Sequence, residues 1–194
     1  SQTSHSFETT ISHKERLNFW LSLPADYEAD RSKHHPLLLF LHGAGERAGD
    51  GNTLEIVKMH GPPKRLEKAN TLPFIVVSPQ CPQDSWWPAH METLLGLLDT
   101  VIKNYRVDTQ RVYLTGLSMG GFGTWHLAAK YPERFAAAVP ICGALTWYVD
   151  LNRAAQRMKD LPLWVFHGAL DDVVPISESQ RVVDALKAAG SKVK

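Results

Sequence analysis

Three separated stretches of this chain carry side chains and backbone that could perform acyl transfer. The first is Gly116-Leu117-Ser118-Met119-Gly120, a Gly-x-Ser-x-Gly pattern. In that pattern the serine sits on a tight strand-to-helix turn, with its hydroxyl lifted clear as a nucleophile. Glycine is needed two residues to either side because side chains there would collide in so sharp a turn. The pattern alone is weak evidence, since chance would give it in roughly one chain in fifteen of this size. Its context adds weight, because an apolar run precedes it and a helical pattern follows. Gly121 and Gly123 continue the glycines into that helix. Glycine weakens a helix, so their presence predicts a helix packed very close to the sheet.

The second stretch is His42-Gly43-Ala44-Gly45, directly after the apolar run Leu37–Leu41. An acyl-transfer site needs N–H donors aimed at the developing oxyanion. The backbone N–H of Met119, at the positive end of the helix dipole, is one expected donor. The N–H of Ala44 is the other. The third stretch is His167 to Pro175, after another apolar run. An acid just past a strand end can orient a histidine, and Asp171 is preferred to Asp172 for that role. Trp86 and Trp87 lie on a Pro-rich loop with Cys81 and His90 and are the expected substrate-binding residues. Trp147 and Tyr148 have similar status. Glu46 and Arg47 read as a loop-bracing pair.

The elements that must position these groups alternate between strand and helix, which predicts an α/β fold with a largely parallel sheet flanked by helices. Expected strands are Leu37–Leu41, Phe74–Ser78, Arg111–Thr115, Phe135–Ile141 and Leu163–His167. Expected helices cover about 91–105, 119–130 and 177–189. Phe7–Ile11 and Leu17–Leu23 read as an antiparallel pair at the sheet edge. About twenty residues separate Ile141 from Leu163, too few for a cap domain under ordinary loop lengths. An open cleft follows, suited to short-acyl or aryl esters rather than long lipids.

Bulk properties narrow the partners. The formal net charge is +1 and the basic residues form no run, so nothing points to nucleic acid. The patch of Arg31, Lys33, His34 and His35 reads as a solvated loop. No apolar run approaches the roughly 18 residues of a membrane span. Cys81 and Cys142 read as free or structural thiols, and no spacing of Cys or His offers a metal site. No cofactor is expected; the partner is a small ester. The chain begins at Ser1 without Met, as would a matured secreted protein, a tag-cleaved product or a domain cut from a longer chain.

Leu41 to Arg47, Ser78-Pro79-Gln80-Cys81-Pro82, Gly116 to Trp125, Pro140-Ile141-Cys142-Gly143 and His167 to Pro175 together resemble one group of proteins. These are the bacterial esterases related to phospholipase/carboxylesterases and polyhydroxybutyrate depolymerases, often labelled predicted peptidases. The resemblance runs from about residue 17 onward. It implies an α/β-hydrolase sheet, ester substrates, Ser118 as nucleophile, Asp171 as acid and oxyanion donors at Ala44 and Met119. The order in such enzymes is nucleophile, acid, histidine, and none of the nine histidines follows Asp171. His42 and His167 read as structural, His126 lies two helical turns beyond Ser118, and nothing aims His90 at Ser118. The expectation is one domain over 1–194 that lacks its C-terminal strand and helix, with the histidine in the missing part. A serine peptidase of the same fold and a non-catalytic hydrolase-like binding module are the alternatives.

Overall fold

The computed structural model describes residues 15–49, 51–69 and 71–194. Five strands form one sheet: β1 (Phe19–Ser22), β2 (His35–Leu41), β3 (Ile75–Pro79), β4 (Val107–Leu117) and β5 (Ala137–Ile141), in the order β1-β3-β2-β4-β5. Only β1 runs antiparallel, against β3. The edge strand expected at Leu17–Leu23 is therefore present, with β3 as its neighbour. Phe7–Ile11 lies outside the described residues.

The central strands are apolar on both faces because both faces are covered. Leu37, Leu39 and Leu41 of β2 and every residue of β3 are buried, the pattern of a parallel sheet between helix layers. The helices are α1 (Gly61–Ala69), α2 (Met91–Asn104), α3 (Met119–Lys130), α4 (Leu151–Met158) and α5 (Ile176–Ala188). α2 buries one stripe, Leu94, Leu95, Leu98 and Val101, at the three-and-four spacing of an amphipathic helix. α3 is buried nearly all round, including Gly120, Gly121, Gly123, Ala128 and Ala129. Its small residues let it sit against the ends of β2 and β5.

Register places the functional loops together. Leu41 pairs with Gly116 and Leu117 with Ile141, so β2, β4 and β5 end at one level. The loops beginning at His42, Ser118 and Cys142 leave the sheet there, at the carboxyl edge where open α/β sheets bind ligands. Ala138 and Ile141 form parallel bridges to Leu163 and Phe166, which brings the His167–Pro175 loop to the same edge.

Three local expectations change. Leu163–His167 lies along β5 through bridges only, without forming a regular strand. Its outer side has little partner, and Trp164 and Phe166 stay exposed there. His35 is buried rather than solvated, with its ring 5.3 Å from that of Tyr27. Helices α1 and α4 were not anticipated. Between β5 and Leu163 the chain forms a loop and α4 alone, with no cap.

Candidate active site

Ser118 joins β4 to α3 with φ 55° and ψ −116°, in a region that disfavours residues with a Cβ. Its N–H donates to the Ile141 carbonyl at 2.9 Å, and its carbonyl accepts from Phe122 N at 3.0 Å. Both ends of the turn are thereby held. A Cβ on Gly116 would lie 2.2 Å from the Gly120 carbonyl oxygen, and one on Gly120 would lie 1.8 Å from that of Leu41. Those are impossible contacts, so the spacing of the glycines follows from steric necessity. A Cβ on Gly121 would meet the Ile141 carbonyl at 2.4 Å, and this is the close helix-to-sheet approach expected.

The loop after β2 lies beside the serine. A Cβ built on Gly43 would be 3.8 Å from the Cβ of Ser118. Ala44 opens a short 3-10 turn, Ala44–Glu46, and Met119 opens α3. Both backbone N–H groups thus belong to helix first turns, which have no acceptor within their own helix. Arg47 ties this loop down by donating from Nε to the Ala44 carbonyl and from its guanidinium to that of Ser85. Glu46 is buried and faces His60 at 3.8 Å. The two side chains brace the loop separately, not as a pair.

Asp171 occupies the loop beyond Phe166. Its Oδ1 accepts the N–H groups of Val174 and Val173 at 2.9 and 3.0 Å. Those two backbone bonds, helped by nearby His167, hold its carboxyl below the ordinary carboxylate range. Asp172 is exposed. Cys142, with φ 41°, follows β5 and donates its N–H to the Phe166 carbonyl at 2.8 Å. Burial raises its thiol pKa, the Ser118 backbone lowers it, and the Asp171 charge raises it. Cys81 and Cys142 are both unpaired, and burial pushes Cys81 up to about 12, where it is inert.

The histidines are engaged elsewhere. The Nε2 of His42 accepts from Cys81 N at 2.9 Å, so Nδ1 carries the proton and donates to the Gly43 carbonyl at 2.6 Å. Burial lowers its pKa to about 4. His167 is bonded through Nδ1 to Ser179 Oγ and through Nε2 to the Val174 carbonyl, each at 2.7 Å. His90 lies between Ser85 Oγ and Glu15. His126 is buried, with Nε2 3.1 Å from Thr146 Oγ1, and burial lowers it to about 4. His5 and His13 fall outside the described residues. Among the described residues no histidine is bonded to Ser118.

The two tryptophans divide. Trp87 has no exposed surface, and its indole N–H donates to the His42 carbonyl at 2.9 Å. It supports the loop from beneath and cannot wall a cleft, contrary to expectation. Trp86 is half-buried, with its ring 6.4 Å from Phe122 and 6.0 Å from His126. Phe122 and His126 are the residues that sequence reasoning missed as neighbours of Trp86. The signal was their spacing of four and eight from Ser118, which places them on one face of a helix.

Among the described residues, no group of three or more His, Cys, Asp or Glu could hold a metal. No helix there is long and apolar enough to cross a membrane.

Comparison with known proteins shows which proteins this chain is similar to. A crystal structure of a thermostable esterase superposes with a TM-score of 0.73 at 34% identity, over 92% of this chain and 49% of that one. A bifunctional acetylxylan esterase/xylanase of Neocallimastix patriciarum is 35% identical over 78 residues, 40% of this chain and 11% of the relative. A poly(3-hydroxyalkanoate) depolymerase of Paucimonas lemoignei is 49% identical over 47 residues, 24% of this chain and 11% of the relative. The chain thus spans about half the length of the esterase structure and about a tenth of these two curated relatives. Residues 73–194, from the strand before the Trp86 loop through the elbow and the acid loop, match the phospholipase/carboxylesterase family. This chain belongs to that family and has its α/β-hydrolase fold.

Proposed function

We propose that this chain carries the nucleophile, acid and oxyanion donors of a serine carboxylic-ester hydrolase that works through an acyl-enzyme. The observation that carries the reading is the backbone of Ser118, a non-glycine residue held at φ 55° between β4 and α3. Strain of that kind persists only where the surroundings over-determine it. Here Gly116, Gly120 and the Ile141 carbonyl do so.

In the reaction Ser118 Oγ adds to the ester carbonyl while its proton passes to a general base. The carbonyl oxygen takes the negative charge and accepts hydrogen bonds from Met119 N–H and Ala44 N–H. The C–O bond to the alcohol then breaks, and the base returns the proton to the leaving alkoxide. Water, deprotonated by the same base, releases the acid and restores the serine. Asp171 orients and stabilises the protonated base through Oδ2, because Oδ1 is occupied by two backbone N–H groups.

The base itself is a histidine carried by a segment that continues the sheet past Leu163–Phe166. Two features support this. Lys194 already lies alongside, donating to the Leu163 carbonyl and accepting from Val165 N at 3.1 and 2.8 Å. The exposed rings of Trp164 and Phe166 are apolar surface that a strand and helix would cover. The uncapped edge favours short-acyl or aryl esters.

Ser118→Ala tests the reading. It should abolish fluorophosphonate labelling and p-nitrophenyl acetate hydrolysis while the circular dichroism spectrum stays unchanged; labelling at undiminished stoichiometry would exclude Ser118 as nucleophile. A chain ending at Lys194 should turn over on the order of 10⁶ more slowly than one that includes the histidine segment, the usual cost of removing the base from a triad. Equal turnover would place the base among the nine histidines of this sequence.

A further inference from the structure

A cleft of about 420 Å³ opens between α3 and α4, away from the catalytic loops. One wall is aromatic, formed by His126 of α3 and Tyr148 of the loop before α4, with ring centroids 6.0 Å apart. The other wall is cationic, formed by Lys130, Arg153 and Arg157. Lys130 is neutralised by Glu92 at 2.9 Å. Arg157 donates to the Lys130 carbonyl. Asp150, the one carboxylate lining the cleft, accepts the Arg153 N–H as the N-cap of α4. The Arg153 guanidinium has no hydrogen bond or ion pair among the described residues. The cleft therefore holds an excess of positive charge and one arginine fork ready for a carboxylate.

A line of rings joins this cleft to the nucleophile. Ser118, Phe122 and His126 share one face of α3 at intervals of four, so His126 lies about 12 Å from the elbow along the helix. Trp86 packs against both Phe122 and His126. Tyr148 follows, and then Trp147 at 5.8 Å. Tyr148 is 56% and Trp147 90% exposed. Burying neither ring in the fold leaves two large surfaces beside a charged cleft. Such rings suit a ligand with C–H groups on its face and polar groups at its edge, which describes a sugar. An acyl chain would meet charge at the cleft, and a strand of nucleic acid would need a basic stripe rather than one pocket.

We propose that this cleft is a subsite for a carboxylate-bearing sugar ring, held by Arg153 against Tyr148, so that the substrate is an acylated acidic glycan. The proposal rests on the esterase reading for its chemistry but not for its binding. It gives the enzyme specificity at a distance, since binding far from the reacting ester can be used to position it.

The test is calorimetry on the full chain with two deacylated tetrasaccharides, identical except that one carries a glucuronate. The acidic sugar should bind about 10-fold more tightly at low salt, the scale of one hydrogen-bonded charge. Added salt should shrink the difference, and Arg153→Ala should remove it. Trp147→Ala should weaken both sugars alike. Equal binding of the two, no binding of either, a preference that survives Arg153→Ala, or tighter binding of an acidic peptide would each overturn the proposal. Hydrolysis of p-nitrophenyl acetate by the intact enzyme is measured in parallel. If the intact enzyme lacks it, the esterase reading fails while the sugar comparison still decides the subsite.

Discussion

At the scale of single residues, the site depends on what cannot be larger. Gly120 approaches the Leu41 carbonyl so closely that a methyl group would have to displace backbone from either α3 or β2. Gly120→Ala should therefore destabilise the fold by about 1–3 kcal/mol or more, the cost of overpacking with backbone shift, measured as a lowered urea midpoint. Gly45→Ala is the control, because nothing lies within 4 Å of its added Cβ. Its midpoint should move by less than about 0.5 kcal/mol. If both variants behave alike, the steric account of the elbow is wrong. The same scale separates the two candidate acids. In the enzyme with its base present, Asp171→Asn should lower kcat on the order of 10⁴, as loss of the orienting carboxylate does in a triad, whereas Asp172→Asn should not change it. Gly116 and Gly120 were legible in the sequence because steric need restricts those positions to glycine. Trp87 was misread, because a tryptophan on a loop reads the same whether its ring faces solvent or lies beneath the loop.

At the scale of elements, hydrophobic patterning located what is buried on both sides and failed where burial is partial. β2 and β3 were legible as unbroken apolar runs, α2 by its apolar stripe at helical spacing, and α3 by its place after the Gly-x-Ser-x-Gly turn. α1 begins Gly61-Pro62-Pro63 and buries only Pro63, so its sequence reads as a turn. α4 is eight residues long and buries Ala154, Ala155 and Met158, too small an apolar stripe to separate from a polar loop. Leu163–His167 has a strand's composition, yet regular pairing needs neighbours and its outer side lacks most of them. The deepest contact of the loop from Cys81 to His90 is made by Trp87. The Trp87 indole donates to the carbonyl of His42 and its ring meets the His42 ring edge-on at 4.9 Å. Trp87→Phe keeps much of the apolar volume and leaves that buried carbonyl without its donor. It should cost about 1–3 kcal/mol and loosen the loop that carries Trp86, so KM for aryl esters should rise more than kcat falls. An unchanged melting temperature would mean that the loop is held elsewhere.

At the scale of the whole molecule, the fold couples its stability to protons through histidines that the site loops need neutral. His42 anchors the loop after β2 to Cys81 through an unprotonated Nε2. His126 is enclosed by Trp86, Tyr148 and Thr146. Burial depresses both to about 4, from 6.5 in an unfolded chain, and lowers His35 in the same direction. Between those values the unfolded chain binds protons that the folded chain excludes. The contribution of these groups is thus fully present above about pH 6.5 and is lost progressively as pH falls towards 4. Each of the two deeply shifted histidines can contribute up to about 3 kcal/mol of that loss. Well inside the window, two protons taken up on unfolding correspond to a slope of about 2.7 kcal/mol per pH unit, with His35 adding to it. Carboxylates with lowered values, Asp171 among them, extend the loss to more acid conditions, since they bind protons on unfolding only nearer their own range. Urea unfolding measured from pH 7.5 to 4.5 should therefore show stability falling from slightly acid pH, before any carboxylate titrates. His126→Gln, which places an amide that cannot be protonated among the same rings, should reduce the uptake by one proton while leaving the His42 share in place. A stability curve flat down to pH 5, or a His126→Gln variant with the parent's slope, would mean that these histidines admit water and protons in the folded state.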